Sequence, residues 1–208
     1  MEELSDSRNL AQEWYEYAQK VERELRNLED RVVGSLLASK TPTNFKRSTL
    51  ATTIEQVRKV SKWIVIPPEA LQNIESLDGQ ASSSVWAKDL GKLFTAMETY
   101  AQDRSTKNFR GNFRAWCKKH GTYSVNKIAL NESTPTKNDR ELMNARTFVV
   151  DTSLSPSGLL TMLSHAKIQE QGSGLIPRVF FHDDTGGKTR KIHIGFIGPH
   201  YLVPTSDF

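Results

Sequence analysis

Two apolar runs bracket an Asp/Gly-rich turn near the C-terminus, and no other pattern constrains the fold of this 208-residue chain as tightly. Pro177–His182 reads Pro-Arg-Val-Phe-Phe-His, Lys191–Ile197 reads Lys-Ile-His-Ile-Gly-Phe-Ile, and Asp183-Asp184-Thr185-Gly186-Gly187 lies between them. β-Branched and aromatic residues favour extended backbone, while Asp and Gly supply turns, so the segment is expected to form an antiparallel hairpin. Ile192, Ile194 and Phe196 alternate with His193, Gly195 and Ile197, which predicts a strand that buries one face. Gly195 inside that strand predicts a bulge or a close backbone approach, from sheet packing or from a ligand. Upstream, Arg146–Val150 reads as another strand and Tyr123–Leu130 carries β-formers. Leu159–Ile168 reads as a short helix after a Ser155-Pro156 start signal.

The first half of the chain has a different period. Leu10, Trp14, Tyr17, Val21, Leu25, Leu28, Val32 and Leu36 recur three or four residues apart, the spacing of one helical stripe. Such a helix suits a coiled-coil arm that docks a protein partner or a second copy through Trp14, Val21, Leu25, Leu28 and Val32, and it equally suits packing within its own domain. A second helical pattern starts near Ser48, with Leu50, Ile54, Val57 and Val60 on one side. Residues 69–77, after Pro67-Pro68, suit a short helix. A third, longer helix is expected from Ser82-Ser83-Ser84 through Trp86, Leu90, Leu93, Phe94, Met97 and Tyr100. The expected class is therefore α+β: a helix-rich N-terminal region, 1–121, followed by an α+β module, 122–208, built on a small antiparallel sheet with the C-terminal hairpin. A single continuous α+β domain is the alternative.

Composition narrows the setting. One cysteine, Cys117, excludes an intramolecular disulfide framework and zinc modules built on paired cysteines. No apolar run approaches the roughly 20 residues that span a bilayer, and the Met1-Glu2-Glu3 start lacks a signal-peptide core. A soluble, cytoplasmic protein without a membrane partner or cofactor is expected.

The formal charge of +4 is unevenly spread. Residues 102–146 hold ten bases against four acids, whereas residues 1–40 hold six against nine. A localised anion-binding surface requires this kind of concentration. Within it, Phe109, Phe113, Trp116 and Cys117 read as the apolar seat of a helix, with Lys107, Arg110, Arg114 and Lys118 on the neighbouring face and Lys119 following. Guanidinium and ammonium groups beside a buried seat suit contacts with the phosphate backbone of a nucleic acid. The competing readings are an ordinary solvated face and pairing with the acidic first helix. No helix-turn-helix, zinc-finger or RNA-recognition signature is present, so no base-specific readout is expected.

A catalytic alternative lies in the C-terminal histidines. His182, Asp183 and His193 supply ligand types of a hydrolytic metal centre, with His165 and His200 on flanking segments. Lys191 and Arg178, with Lys188 and Arg190, could stabilise phosphoryl charge in a metal-assisted phosphodiesterase. Asp183-Asp184 also suits a plain polar turn. Gly187-Lys188-Thr189 resembles the end of a phosphate-binding loop, but His182 stands where its first glycine belongs and a strand follows it. His120-Gly121-Thr122 has no second copy, and Cys117 falls on the apolar stripe, which argues for burial over nucleophilic use. The leading expectation is a non-catalytic nucleic-acid-binding protein or assembly subunit, with the metal-assisted nuclease and a protein-only adaptor as alternatives.

Overall fold

A computed structural model of the chain describes residues 48–169 and 175–205. By contacts the chain divides into two units, residues 1–46 and 47–208. The amphipathic stripe from Leu10 to Leu36 therefore lies outside the described residues, along with its partner-docking positions Trp14, Val21, Leu25, Leu28 and Val32.

The described unit begins with α1 (Leu50–Val60), whose Thr49 cap accepts from Thr52 N through its hydroxyl and donates its own N–H to Thr52 Oγ1 in return. Asp78 adds a cap from outside, since its carboxylate accepts the N–H groups of Leu50 and Ala51 at 2.7 and 3.1 Å. These donors have no partner inside the helix, so Asp78 satisfies two of the four groups that a helix start leaves open. Next come β1 (Ile64–Val65), a 3₁₀ turn (Pro68–Ala70), α2 (Ile74–Asp78) and the long α3 (Ser83–Ser105). Ser82 makes no side-chain cap on α3; Ser83 instead donates to Asp78 Oδ1 at 3.0 Å. The apolar stripe of α3 is buried as its spacing predicts, with Leu90, Leu93, Met97 and Tyr100 fully enclosed.

After α3 follow α4 (Phe113–His120), a 3₁₀ turn (Val125–Lys127), β2 (Ile128–Ala129), α5 (Thr134–Asn138) and α6 (Arg140–Asn144). The strands β3 (Thr147–Val149), β4 (Leu159–Thr161), β5 (His165–Lys167), β6 (Pro177–Asp183) and β7 (Ile192–Pro199) complete it. The five-stranded sheet has the order β1-β7-β6-β5-β2, and β3 pairs with β4 in a separate two-stranded sheet. The α+β class is as expected, and β6–β7 form the antiparallel hairpin.

Three local expectations are corrected. Leu159–Ile168 is two strands, because Gly158 takes a positive φ of 70° and its N–H closes a turn onto Ser155 O, folding β4 back on β3. The sheet is mixed, since β1 pairs in parallel with β7. Strand β7 is buried along its whole length. One face, through Ile192, Ile194 and Ile197, meets the helices; the other, through Phe196, meets Val150, Met162 and Phe180.

Gly195 sits at the register shift opposite Phe180 and Phe181. A Cβ there would come within 2.6 Å of Met162 Sδ and 2.7 Å of Phe148 Cδ2. Both the bulge and the close approach are thus present, and sheet packing accounts for them. The division expected near residue 121 also falls inside one core: Trp86, Phe94, Phe113 and Trp116 pack in the same cluster as Ile128, Val179, Phe181 and Ile194.

Candidate anion-binding surface

The central basic segment is not one helix. Helix α3 ends in a Schellman-type turn: Asn108 N–H donates to Asp103 O at 3.0 Å and Lys107 N–H to Arg104 O at 3.2 Å. This places Lys107 in the left-handed region, with φ 61°, where glycine is the usual occupant. The chain then runs as a loop to Asn112, whose side chain caps α4 by accepting from Ala115 N at 2.9 Å. Phe113, Trp116 and Cys117 are buried on α4 as expected, while Phe109 lies on the loop and is half-buried. Burial pushes the Cys117 thiol up to about 11, which removes the thiolate a nucleophile would need.

The predicted phosphate contacts therefore divide between two elements. Lys107 and Arg110 are exposed on the loop, and Lys118 and Lys119 are exposed on α4. Lys119 Nζ stands 5.9 Å from the centroid of the Phe109 ring. Arg114 is exposed as well, and its Nε donates toward Val125 O and Ile128 O at 3.3 and 3.2 Å, tying α4 to β2. Among the described residues, no carboxylate pairs with Lys107, Arg110, Lys118 or Lys119.

The hairpin tip joins this surface. The Tyr100 hydroxyl lies 2.6 Å from Asp183 Oδ2 and 3.0 Å from Gly111 O, bridging the hairpin and the basic loop. Burial, with the adjacent Asp183 charge, raises the pKa of Tyr100 well above its ordinary value, so its proton stays available for the carboxylate. One turn further along α3, Arg104 Nε donates to Thr185 Oγ1 at 3.3 Å. Loops 106–112 and 184–190 are thus anchored to the same end of α3, and the exposed Lys188 and Arg190 share it with Lys107 and Arg110. Arg190 also has a positive φ, of 60°. Sequence spacing missed Arg104 and the hairpin tip as members of this surface. The contact runs through Tyr100 and Asp183, which lie 83 positions apart.

The alternative catalytic set is dispersed. His182 and His193 are cross-strand partners, as the hairpin predicts. Asp183, however, turns to Tyr100 and also accepts from Thr185 Oγ1 at 2.6 Å. Thr189 donates to Asp184 Oδ2 at 2.6 Å, which leaves His193 Nε2, 2.7 Å from Thr189 Oγ1, as donor to that oxygen and not as a base. Burial lowers the proton affinity of His193, against the pull of Asp184. Lys191 is exposed. Arg178 sits opposite Gly198 at the far end of β6, about 13 Å of strand from His182. Among the described residues no group of three His, Cys, Asp or Glu side chains is placed to hold a metal. Comparison with protein-family models, curated proteins and solved structures finds no match to this chain.

Substituting Lys107 with glycine is expected to raise folding stability by about 1 kcal/mol, since glycine adopts this backbone without steric cost. Urea unfolding reads the effect, and an unchanged or lower midpoint contradicts this account of the turn.

Proposed function

We propose that the chain is a non-catalytic, cytoplasmic nucleic-acid-binding protein or assembly subunit. It grips phosphates through the surface formed by loops 106–112 and 184–190 with the exposed face of α4, while the N-terminal stripe through Trp14, Val21, Leu25, Leu28 and Val32 serves a protein partner or second copy. The observation that carries the reading is the gathering of exposed cations from two distant stretches, Lys107 and Arg110 with Lys188 and Arg190, at one end of α3. Phosphate contacts supply most of the affinity in sequence-independent binding and make it salt-dependent. No helix among the described residues is long and apolar enough to cross a membrane, which is compatible with a partner in solution.

Fluorescence anisotropy with labelled duplex and single-stranded oligonucleotides tests this across a salt series. The triple variant Lys107→Glu/Arg110→Glu/Arg190→Glu is expected to lose at least roughly tenfold in affinity at low salt. Its slope of log K against log salt should fall by about 2 to 3, near one for each phosphate left without its cation. Unchanged affinity and slope would reject the surface.

A further inference from the structure

Behind the five-stranded sheet, away from the basic surface, positive charge is buried in excess. Arg146 is wholly enclosed, and Arg178 and His165 are each only 8% exposed. Arg146 uses two of its nitrogens: Nε donates to Glu132 Oε1 at 2.6 Å and Nη1 to Leu142 O at 2.7 Å. Its third, Nη2, is buried with no partner among the described residues. The same Glu132 oxygen lies 3.6 Å from His165 Nδ1. The His165 ring stacks on Phe180 at 4.9 Å, and the Arg146 guanidinium sits over that ring at 5.7 Å.

Strand register adds a second, independent observation. His165 pairs with Phe180, and Lys167 pairs with Arg178 one step further along the same face. Like charges directly opposite each other across two strands repel. Among the described residues, the hydrogen bond recorded for the Arg178 side chain is Nη1 to the carbonyl of Pro177 at 3.5 Å, and Glu132 is the carboxylate whose charge favours it. His200, half-buried on the turn after β7, stands in the field of Arg178, Arg146, His165 and Lys167. Among the described residues Glu132 is the single carboxylate acting on this group. Among the described residues, Arg146, Arg178 and Lys167 against Glu132 leave two positive charges, which is the charge a phosphate dianion offsets.

The geometry points to a binding site for a phosphate or phosphomonoester dianion, held by Arg146 Nη2, Arg178 and Lys167, with His165 and His200 as hydrogen-bonding neighbours. Lys167 and His200, the half-exposed members, form its mouth. A planar guanidinium offers paired donors to two phosphate oxygens, and the dianion would also relieve the Lys167–Arg178 repulsion. The site is separate from the surface proposed for nucleic acid, and neither depends on the other.

Inorganic phosphate and phenyl phosphate are the probes, read by thermal unfolding and by isothermal titration of the full chain, with potassium chloride at matched ionic strength as control. At a hundredfold excess over Kd, phosphate is expected to raise Tm by roughly 5–10 °C. Lys167→Met, at the half-exposed mouth, should keep the fold and lose at least roughly tenfold in phosphate affinity; Arg178→Gln should lose more. If Arg178→Gln fails to fold, Lys167→Met still decides. The triple surface variant should retain the full phosphate response. A response no larger than that of chloride overturns the site, as does one unchanged in Lys167→Met. Loss of the response in the triple surface variant alone assigns the phosphate to the outer surface and overturns it too.

Discussion

Glu132→Ala is expected to cost about 3–5 kcal/mol of folding stability, because it leaves an enclosed guanidinium without its counter-charge. The Arg146 and Glu132 side chains are 0% and 5% exposed, and their contact is 2.6 Å. Removing one partner of such a pair is far more damaging than removing both, since a lone buried charge keeps its full desolvation penalty. The double variant Glu132→Ala/Arg146→Met should therefore be more stable than Glu132→Ala alone, despite carrying one more substitution. Urea unfolding of the two single variants and the double variant measures this coupling. A loss below about 1 kcal/mol in Glu132→Ala, or strict additivity in the double variant, would show that water reaches Arg146.

Phe181→Ala is expected to cost a similar 3–5 kcal/mol, for a different reason. Phe181 is 1% exposed and its ring meets Phe113 edge-on, with centroids 5.9 Å apart. Phe113 in turn lies 5.5 Å from the Tyr100 ring. The residue thus joins the hairpin to α4 and α3 at the centre of the core, and its loss leaves a cavity among rigid aromatic walls. Phe181→Leu, which keeps more of the volume, should lose much less. Thermal and urea unfolding of both variants compare them. Equal losses would mean that edge-on ring geometry, not filled volume, dominates the site.

Much of the fold is legible in the sequence because its strongest signals are local. The stripe of α3 predicts its own burial, and the Asp/Gly turn between apolar runs predicts the β6–β7 hairpin. The errors arise where a local signal has two meanings. Ser155-Pro156 reads as a helix start, yet Gly158 converts the same stretch into a turn between two strands. Asn112 is itself a helix-cap signal that starts α4 at Phe113, and the left-handed turn at Lys107 ends α3 before Arg110. Alternation along β7 reads as one buried face because periodicity cannot show that a second layer, through Met162 and Phe148, covers the other. The two charged sites differ in the same way. The excess of base in residues 102–146 points to the outer surface, but half of that surface comes from the hairpin tip. In the sequence Arg146 and Arg178 look like any surface cations, and only the fold shows them buried around Glu132.

The parallel pairing of β1 with β7 fixes the order in which the molecule can be completed. Ile64 meets Ile192 across roughly 130 residues of chain, a long loop to close, and such non-local pairings slow folding. Strand β7 is internal, with β1 on one side and β6 on the other. During synthesis, helices α1 to α3 and strand β1 emerge first and must wait for the segment that joins them to the remaining strands. A nascent chain halted before Ile192 holds β1 with no strand partner among the described residues and β6 with one side open. Strands β6 and β7, which lie inside the edge strands β1 and β2, are the last of the sheet to be made, so the sheet is completed from its edges inward.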